Sequence, residues 1–417
     1  MNLSKTIKRL FLFLFTLILL LIITAVAIPY FFKDELLQRL KTEINKTINA
    51  DVEFSDVNLS LLSSFPDFTF GIDDLKVTGR GEFAGIDLVN AKSTAFELDI
   101  QSVINTDGPI EIHRVDLVDP KIHVIVARDG NANYDIAHPT TDTTSSEELS
   151  FLVELSSYTI QNGHFIYDDQ LGNMYAELVD IDHSGKGNFT QDVFDLVTQT
   201  QIEGITFRFD GTNYLKKAKA DMDVTLNIDN KNALYTFKEN DIRLNALQLL
   251  MDGSVKLDWD AVALDLDIKA PQNEFKHLLS LIPSAYTADF SEVKTNGQFQ
   301  LAGQIKGTYK MDGSGFPGVN MNLGISNADF QYPSLPLGMK DIQAQAKIVS
   351  PEGNNFDRIK VDLDRFHFQL GDNPFDLKLK LRQPISDPDI DTQMKGKINL
   401  ADLSKALPME GVKALEG

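Results

Sequence analysis

Residues 375 to 382 read FDLKLKLR, so Phe375, Leu377, Leu379 and Leu381 alternate with Asp376, Lys378, Lys380 and Arg382. A period of two places the apolar set on one face of a β-strand and the charged set on the other. The same period recurs through most of the chain. Phe96, Leu98 and Ile100 alternate with Glu97 and Asp99, and Ile122, Val124 and Val126 with His123 and Ile125. Further sets are Met222 to Ile228, Leu264 to Ile268, Val319 to Ile325 and Ile342 to Ile348. Such strands belong to antiparallel sheet, since strands of a parallel sheet read as unbroken apolar runs. Turn signals separate them, among them Asp129-Gly130-Asn131, Asp210-Gly211, Asp252-Gly253 and Gly371-Asp372-Asn373-Pro374. A chain built this way is mainly β, and each strand needs something apolar against its inner face.

One slip of phase is informative. Ile359, Val361 and Leu363 set an odd-numbered apolar face, whereas Phe366, Phe368 and Leu370 set an even-numbered one. A bulge near Asp364-Arg365 keeps both halves on one side. Helices are few. Helical spacing of Phe275, Leu278, Leu279 and Ile282 predicts one near 273–282, and Leu400, Leu403 and Leu407 predict another over 400–407; both stop at a proline. Each follows an alternating strand, which makes a weak internal repeat. Leu36, Leu40, Ile44 and Ile48 form one stripe of an amphipathic helix over 33–50. The stretch HPTTDTTSSEELS reads as a polar linker over 138–150, dividing a β segment at 51–137 from a second at 151–417.

The chain begins with a different physics. After Lys5, Lys8 and Arg9 the sequence carries no charge from Leu10 to Phe32, an apolar run including Phe13, Leu17, Leu20, Ile23, Ile28 and Phe31. As a helix it would be about 34 Å long, enough for a hydrocarbon core of about 30 Å. A spanning helix over 10–32 is the direct reading. Ala25-Val26-Ala27 also has the form of a signal-peptide cleavage site, although the run continues past it. Positive charge before the span places residues 1–9 in the cytoplasm and the bulk of the chain outside it.

Composition narrows the chemistry. Sixty acidic against 39 basic residues give a net charge of -21, which opposes contact with nucleic-acid phosphates. With no cysteine there are no disulfides, thiolate nucleophiles or Cys-based metal sites. The histidines His113, His123, His138, His164, His183, His277 and His367 show no metal-binding spacing, and His123 and His367 fall on wet strand faces. Gly313 to Gly318 spells GxGxxG, yet it contains Pro317 and precedes a strand instead of opening a helix. Asp387, Asp389 and Asp391 share a strand face and read as a solvated acidic edge, with a hard-cation site as the alternative. Tyr167-Asp168-Asp169 reads as a turn. No constellation supports an enzyme, and none calls for a cofactor or metal.

About twenty half-buried strands with hardly any helix leave a surplus of apolar surface. It can be covered by a second sheet, by barrel closure, or by ligand in a curled trough. Pattern alone favours a β-sandwich or barrel. The order of segments, however, resembles the AsmA family of envelope proteins, including its TamB-type members. After the N-terminal helix come LSLLSSFPDFTFGIDDLKVTG, 59–79, and LVNAKSTAFELDIQSVI, 88–104. IEIHRVDLVDPKIHVIVARDGNANYDI, 110–136, is similar to the family's strand, proline, strand and glycine-asparagine pattern, and YTIQNGHFIYDDQ, 158–170, to a later strand. NEFKHLLSLIPSAYTADF, YPSLPLGMKDIQAQAKIVSPEGNNFD and DPDIDTQMKGKINLADLSKALP resemble later parts of long members, so this chain reads as a short or truncated one.

The resemblance implies a bacterial inner-membrane protein, single-pass, with its bulk in the periplasm. It implies a long curled antiparallel sheet, a repeating β-groove, whose apolar face binds or conducts phospholipid acyl chains in support of outer-membrane assembly and lipid homeostasis. The expected lining is Leu323, Ile325, Ile342, Ile348, Phe366, Phe368, Leu370, Phe375, Leu377, Leu379 and Leu381. The alternative role is a scaffold or chaperone-like factor for outer-membrane or periplasmic proteins, acting through exposed sheet edges.

Overall fold

The computed structural model describes residues 48–60, 64, 66–104, 110–136, 151–279, 293–310, 313–331, 336–397, 399, 400 and 402. The expected spanning helix over 10–32, its flanking charges, the linker over 138–150 and most of the helix expected over 400–407 lie outside these residues. Among those described, no helix is long and apolar enough to cross a membrane. The architecture is mainly β, as the alternation requires, and the chain divides into two compact units between Thr190 and Gln191.

In the first unit β1 (Ala50–Glu53) and β2 (Asp56–Ser60) pair end to end along one edge of β3 (Phe68–Gly79). The other edge of β3 takes β4 (Asp87–Leu98). Next come β5 (Ile110–Val118) and β6 (Lys121–Val126), collinear against β4 and interrupted at Asp119-Pro120. Proline has no N–H to give a ladder, so the break falls there. Both then pair with β7 (Phe151–Asp169) in parallel, and β7 pairs antiparallel with β8 (Met174–Lys186). The first sheet is therefore mixed, where alternation alone implied purely antiparallel pairing. The hydrogen bonds from β7 to β5 and β6 also keep β7 and β8 with the first unit, so the division falls about forty residues beyond the linker.

Local readings shift in four places. Ile100 leaves the strand and opens the short helix α1 (Ile100–Ile104), whose Asp99 carboxylate accepts from Ser102 N. An N-cap carboxylate competing for the backbone ends the strand two residues early. Tyr167-Asp168-Asp169 is the end of β7, and the turn follows, with Gly172 N donating to Asp169 Oδ1. In β6 the buried residue is Ile125, assigned to the wet face by the alternation. Asn133, itself buried, accepts from Ile125 N and donates to the His123 carbonyl. Finally, Ala50 already belongs to β1, and Asn49 N donates to Ile136 O, so the helix expected over 33–50 does not reach its last residues.

The second unit is one antiparallel meander in which every strand pairs with the next. It runs β9 (Val193–Phe209), β10 (Thr212–Asp229), β11 (Leu234–Leu244), β12 (Leu247–Leu257), β13 (Ala261–Glu274), β14 (Lys294–Lys310), β15 (Gly318–Gln331), β16 (Met339–Ser350), β17 (Lys360–Leu370), β18 (Asn373–Arg382) and β19 (Asp389–Gly396). The helix α2 (Phe275–Leu279) follows β13 directly, within the range its spacing predicted. These strands form one continuous ladder instead of dividing into the two facing sheets of a sandwich. The letters of GxGxxG form the hairpin between β14 and β15, where Phe316 and Gly353 exchange backbone bonds and the Phe316 ring meets Tyr309 edge-on and Phe356 at a tilt.

Candidate functional site

The registers of the second unit put the apolar sets of neighbouring strands opposite one another. Phe194, Leu196 and Ile202 of β9 face Ile228, Leu226 and Ala220 of β10. On β14 and β15, Phe299 faces Ile325, Leu301 faces Leu323 and Ile305 faces Val319. Met321 faces Ile348, which faces Val361, which faces Leu381, which faces Ile390. Directly opposed residues of an antiparallel pair lie on the same side of the sheet. One face thus stays apolar from β9 through β19.

Keeping it so requires correction wherever the sequence changes phase. In β17 the register slips between Leu363 and Phe366, at the place the sequence slips, and Leu363 faces Leu379 while Phe366 faces Leu377. Comparable slips occur in β13 between Ala270 and Asn273, in β14 between Asn296 and Gln298, and in β15 between Ile325 and Ala328. Gly297 holds φ near +101°, and a Cβ there would sit 2.3 Å from Ala328 Cα. Only glycine supplies that conformation and that closeness together. Bulges aligned across adjacent strands bend the sheet locally and raise its twist.

On one side of this line of bulges the apolar face is closed. Phe275 of α2, Val293, Ala328, Phe330, Ile342, Phe368 and Leu370 form a buried cluster. Ile342, Phe368 and Leu370, expected as lining residues, therefore belong to a closed apolar core that includes Phe275 of α2. Ile325, Phe366 and Phe375 pack against that core while staying partly exposed. Across the bulges, Leu323 and Ile325 border a second buried cluster of Leu247, Ala270 and Phe299.

Beyond that second cluster, towards the strand ends and β19, the same face is open. Leu377, Leu379 and Leu381 are half-buried, and Ile348, Ile390 and Met394 are 43, 57 and 67 % exposed. Leu257 and Phe356 are exposed at the same ends of the strands, and Trp259, on the turn after β12, is 99 % exposed. Sequence reading passed over these residues because they sit at turns, where alternation carries no signal. A cavity of about 700 Å³ lies among β13 to β17, with apolar walls at Phe299, Leu301, Leu323 and Ile325 and polar ones at Gln298, Gln300, Gln345 and Lys347.

The opposite face is wet and charge-paired. Lys306 Nζ lies 2.6 Å from Asp265 and Lys238 Nζ 2.7 Å from Asp195. These contacts raise the Lys306 pKa, chiefly through the hydrogen bond to Asp265, and hold Asp195 low, chiefly through that from Lys238. Lys378 and Lys380 are exposed, whereas Arg382 is half-buried, ion-paired with Asp362 and donating to the carbonyls of Val361 and Leu381. His367 is on this face too, largely shielded between Asp376, 2.9 Å away, and Asp341, 3.5 Å away. Asp389 and Asp391 face Arg382 and Lys380 across the ladder, which accounts for the acidic run as cross-strand complement.

Three other histidines have local partners. His113 contacts Asp67, His164 contacts Glu177, and His183 bonds Tyr158 Oη, its pKa lowered by burial. No group of three His, Cys, Asp or Glu able to hold a metal occurs among the described residues. No family model, curated protein or solved structure matches the chain.

Proposed function

We propose that the open apolar face of the second unit seats the acyl chains of phospholipids, in a protein anchored in the bacterial inner membrane by residues 10–32 and working in the periplasm. The reading includes membership of the AsmA family, a groove-shaped curl of the sheet and a part in outer-membrane assembly. It carries no catalytic role.

The observation that supports it is the half of the face bearing Leu377, Leu379, Leu381, Ile348, Ile390 and Met394, apolar over several strands and covered by no other described residues. Contiguous apolar surface left open to water costs about 25 cal/mol per Å², and marks a binding surface more often than an accident. The term is non-directional, so such a face accepts many chain lengths and headgroups while rejecting water. Its wet reverse side carries the paired charges that keep it soluble.

The test uses the full chain in cells with a photo-reactive amino acid at single positions. Leu379 and Ile348 should yield phospholipid adducts by mass spectrometry, and Lys378 and Lys380, on the reverse face, should not. Absence of lipid from the inner positions, or equal yield from both faces, overturns the proposal.

A further inference from the structure

The edge strand β19 has a sequence that complements itself. Asp389, Ile390, Asp391, Thr392, Gln393, Met394, Lys395 and Gly396 are all exposed, and β18 is the strand registered against them among the described residues. An exposed edge presents free N–H and C=O groups to any second strand. Antiparallel pairing of this strand with itself about Thr392 places Asp389 opposite Lys395 twice, Ile390 opposite Met394 twice, and Asp391 opposite Gln393 twice. The charges fall on the wet face and the apolar pair on the open face, because opposed residues share a side. A one-residue slip would place Asp391 opposite Met394 and mix the two faces.

We propose that β19 pairs antiparallel with β19 of a second copy of this chain about Thr392, joining two sheets into one and continuing the apolar face across the junction. The proposal is independent of what that face carries. One pair of eight-residue strands buries less than the roughly 1,200 Å² of a stable interface, so the dimer is weak and depends on concentration.

The chain has no cysteine, which makes disulfide trapping clean. In the full chain, oxidation of Thr392→Cys should give a covalent homodimer, since opposed Cα atoms about 4.5–5.5 Å apart suit a disulfide. Lys395→Cys should not self-link, its two copies lying about 20 Å apart at the spacing of a strand, but should link to Asp389→Cys in a mixed sample. Adding Asp389→Lys to Thr392→Cys should cut the yield about fivefold by opposing like charges, and adding Lys395→Asp to that should restore it. Restoration excludes a folding defect as the cause of the loss. Trapping by Thr392→Cys no better than by Lys395→Cys, no recovery in the double exchange, or linkage to a protein of another mass each overturns the proposal, the last in favour of a different strand partner.

Discussion

The two halves of the apolar face in the second unit are made of the same residue types on the same strands, and they end differently. On β17 and β18, Phe368 and Leu370 are buried in one cluster with Phe275 of α2, while Leu379 and Leu381, a few residues away along the ladder, are half-exposed. Hydrophobicity does not separate them, since Leu370 and Leu379 are chemically identical. What separates them is a line of bulges, with a short helix closing one side of it. Alternation specifies which side of a sheet is apolar; only tertiary context decides whether that side is filled from within or left to be filled from outside.

The sharpest way to test this contrast is to damage the closed half. Leu370 is 2 % exposed and sits in the cluster of Phe275, Val293, Ala328, Phe330, Ile342 and Phe368. Leu370→Ala should lower the free energy of unfolding by about 3–5 kcal/mol, since it removes a large apolar side chain and leaves a cavity. Chemical denaturation checks this, and a loss below about 1 kcal/mol would mean the closed half is not a core. Next in size is the bend. Gly297→Ala combines a positive φ, costing about 1–3 kcal/mol, with contact against the backbone of Ala328. It should destabilise by about 2 kcal/mol or more, and a neutral result would show that the bulge line does not need its glycine.

Much of this was legible in the sequence. The period of two located most strands, and the odd-to-even change from Leu363 to Phe366 located a bulge to within its two intervening residues. Helical spacing with a following proline located α2. Less legible were features fixed by contacts distant in sequence. The parallel pairing of β7 with β5 and β6 joins residues some forty apart, and no local pattern reports it. Ile125 is buried against its place in the alternation, in a stretch whose backbone is tied to Asn133, eight residues on. The assignment of Ile342, Phe368 and Leu370 to an open lining failed for the same reason: alternation gave their side of the sheet correctly but not the cluster with Phe275, Val293 and Phe330 that closes over it.

The smallest expected effect on stability discriminates best, because it falls on the half left open. Leu379 lies opposite Leu363 and Thr392, half-buried, with no helix packed on its strand among the described residues. A glutamate at an open position keeps its charge in water, so Leu379→Glu should change the unfolding free energy by no more than about 1 kcal/mol, as for other surface substitutions. A carboxylate there would nonetheless oppose an acyl chain, because a buried unpaired charge is costly. Phospholipid adducts from a photo-reactive residue at Leu377 should therefore be lost in the Leu379→Glu background while the protein stays folded. Should Leu379→Glu cost as much as Leu370→Ala, this half is also a core, the contrast disappears, and no surface is left for a lipid to occupy. Should it cost little and leave the adducts unchanged, the face is open but the chains lie elsewhere along it, and Ile348 becomes the position to test.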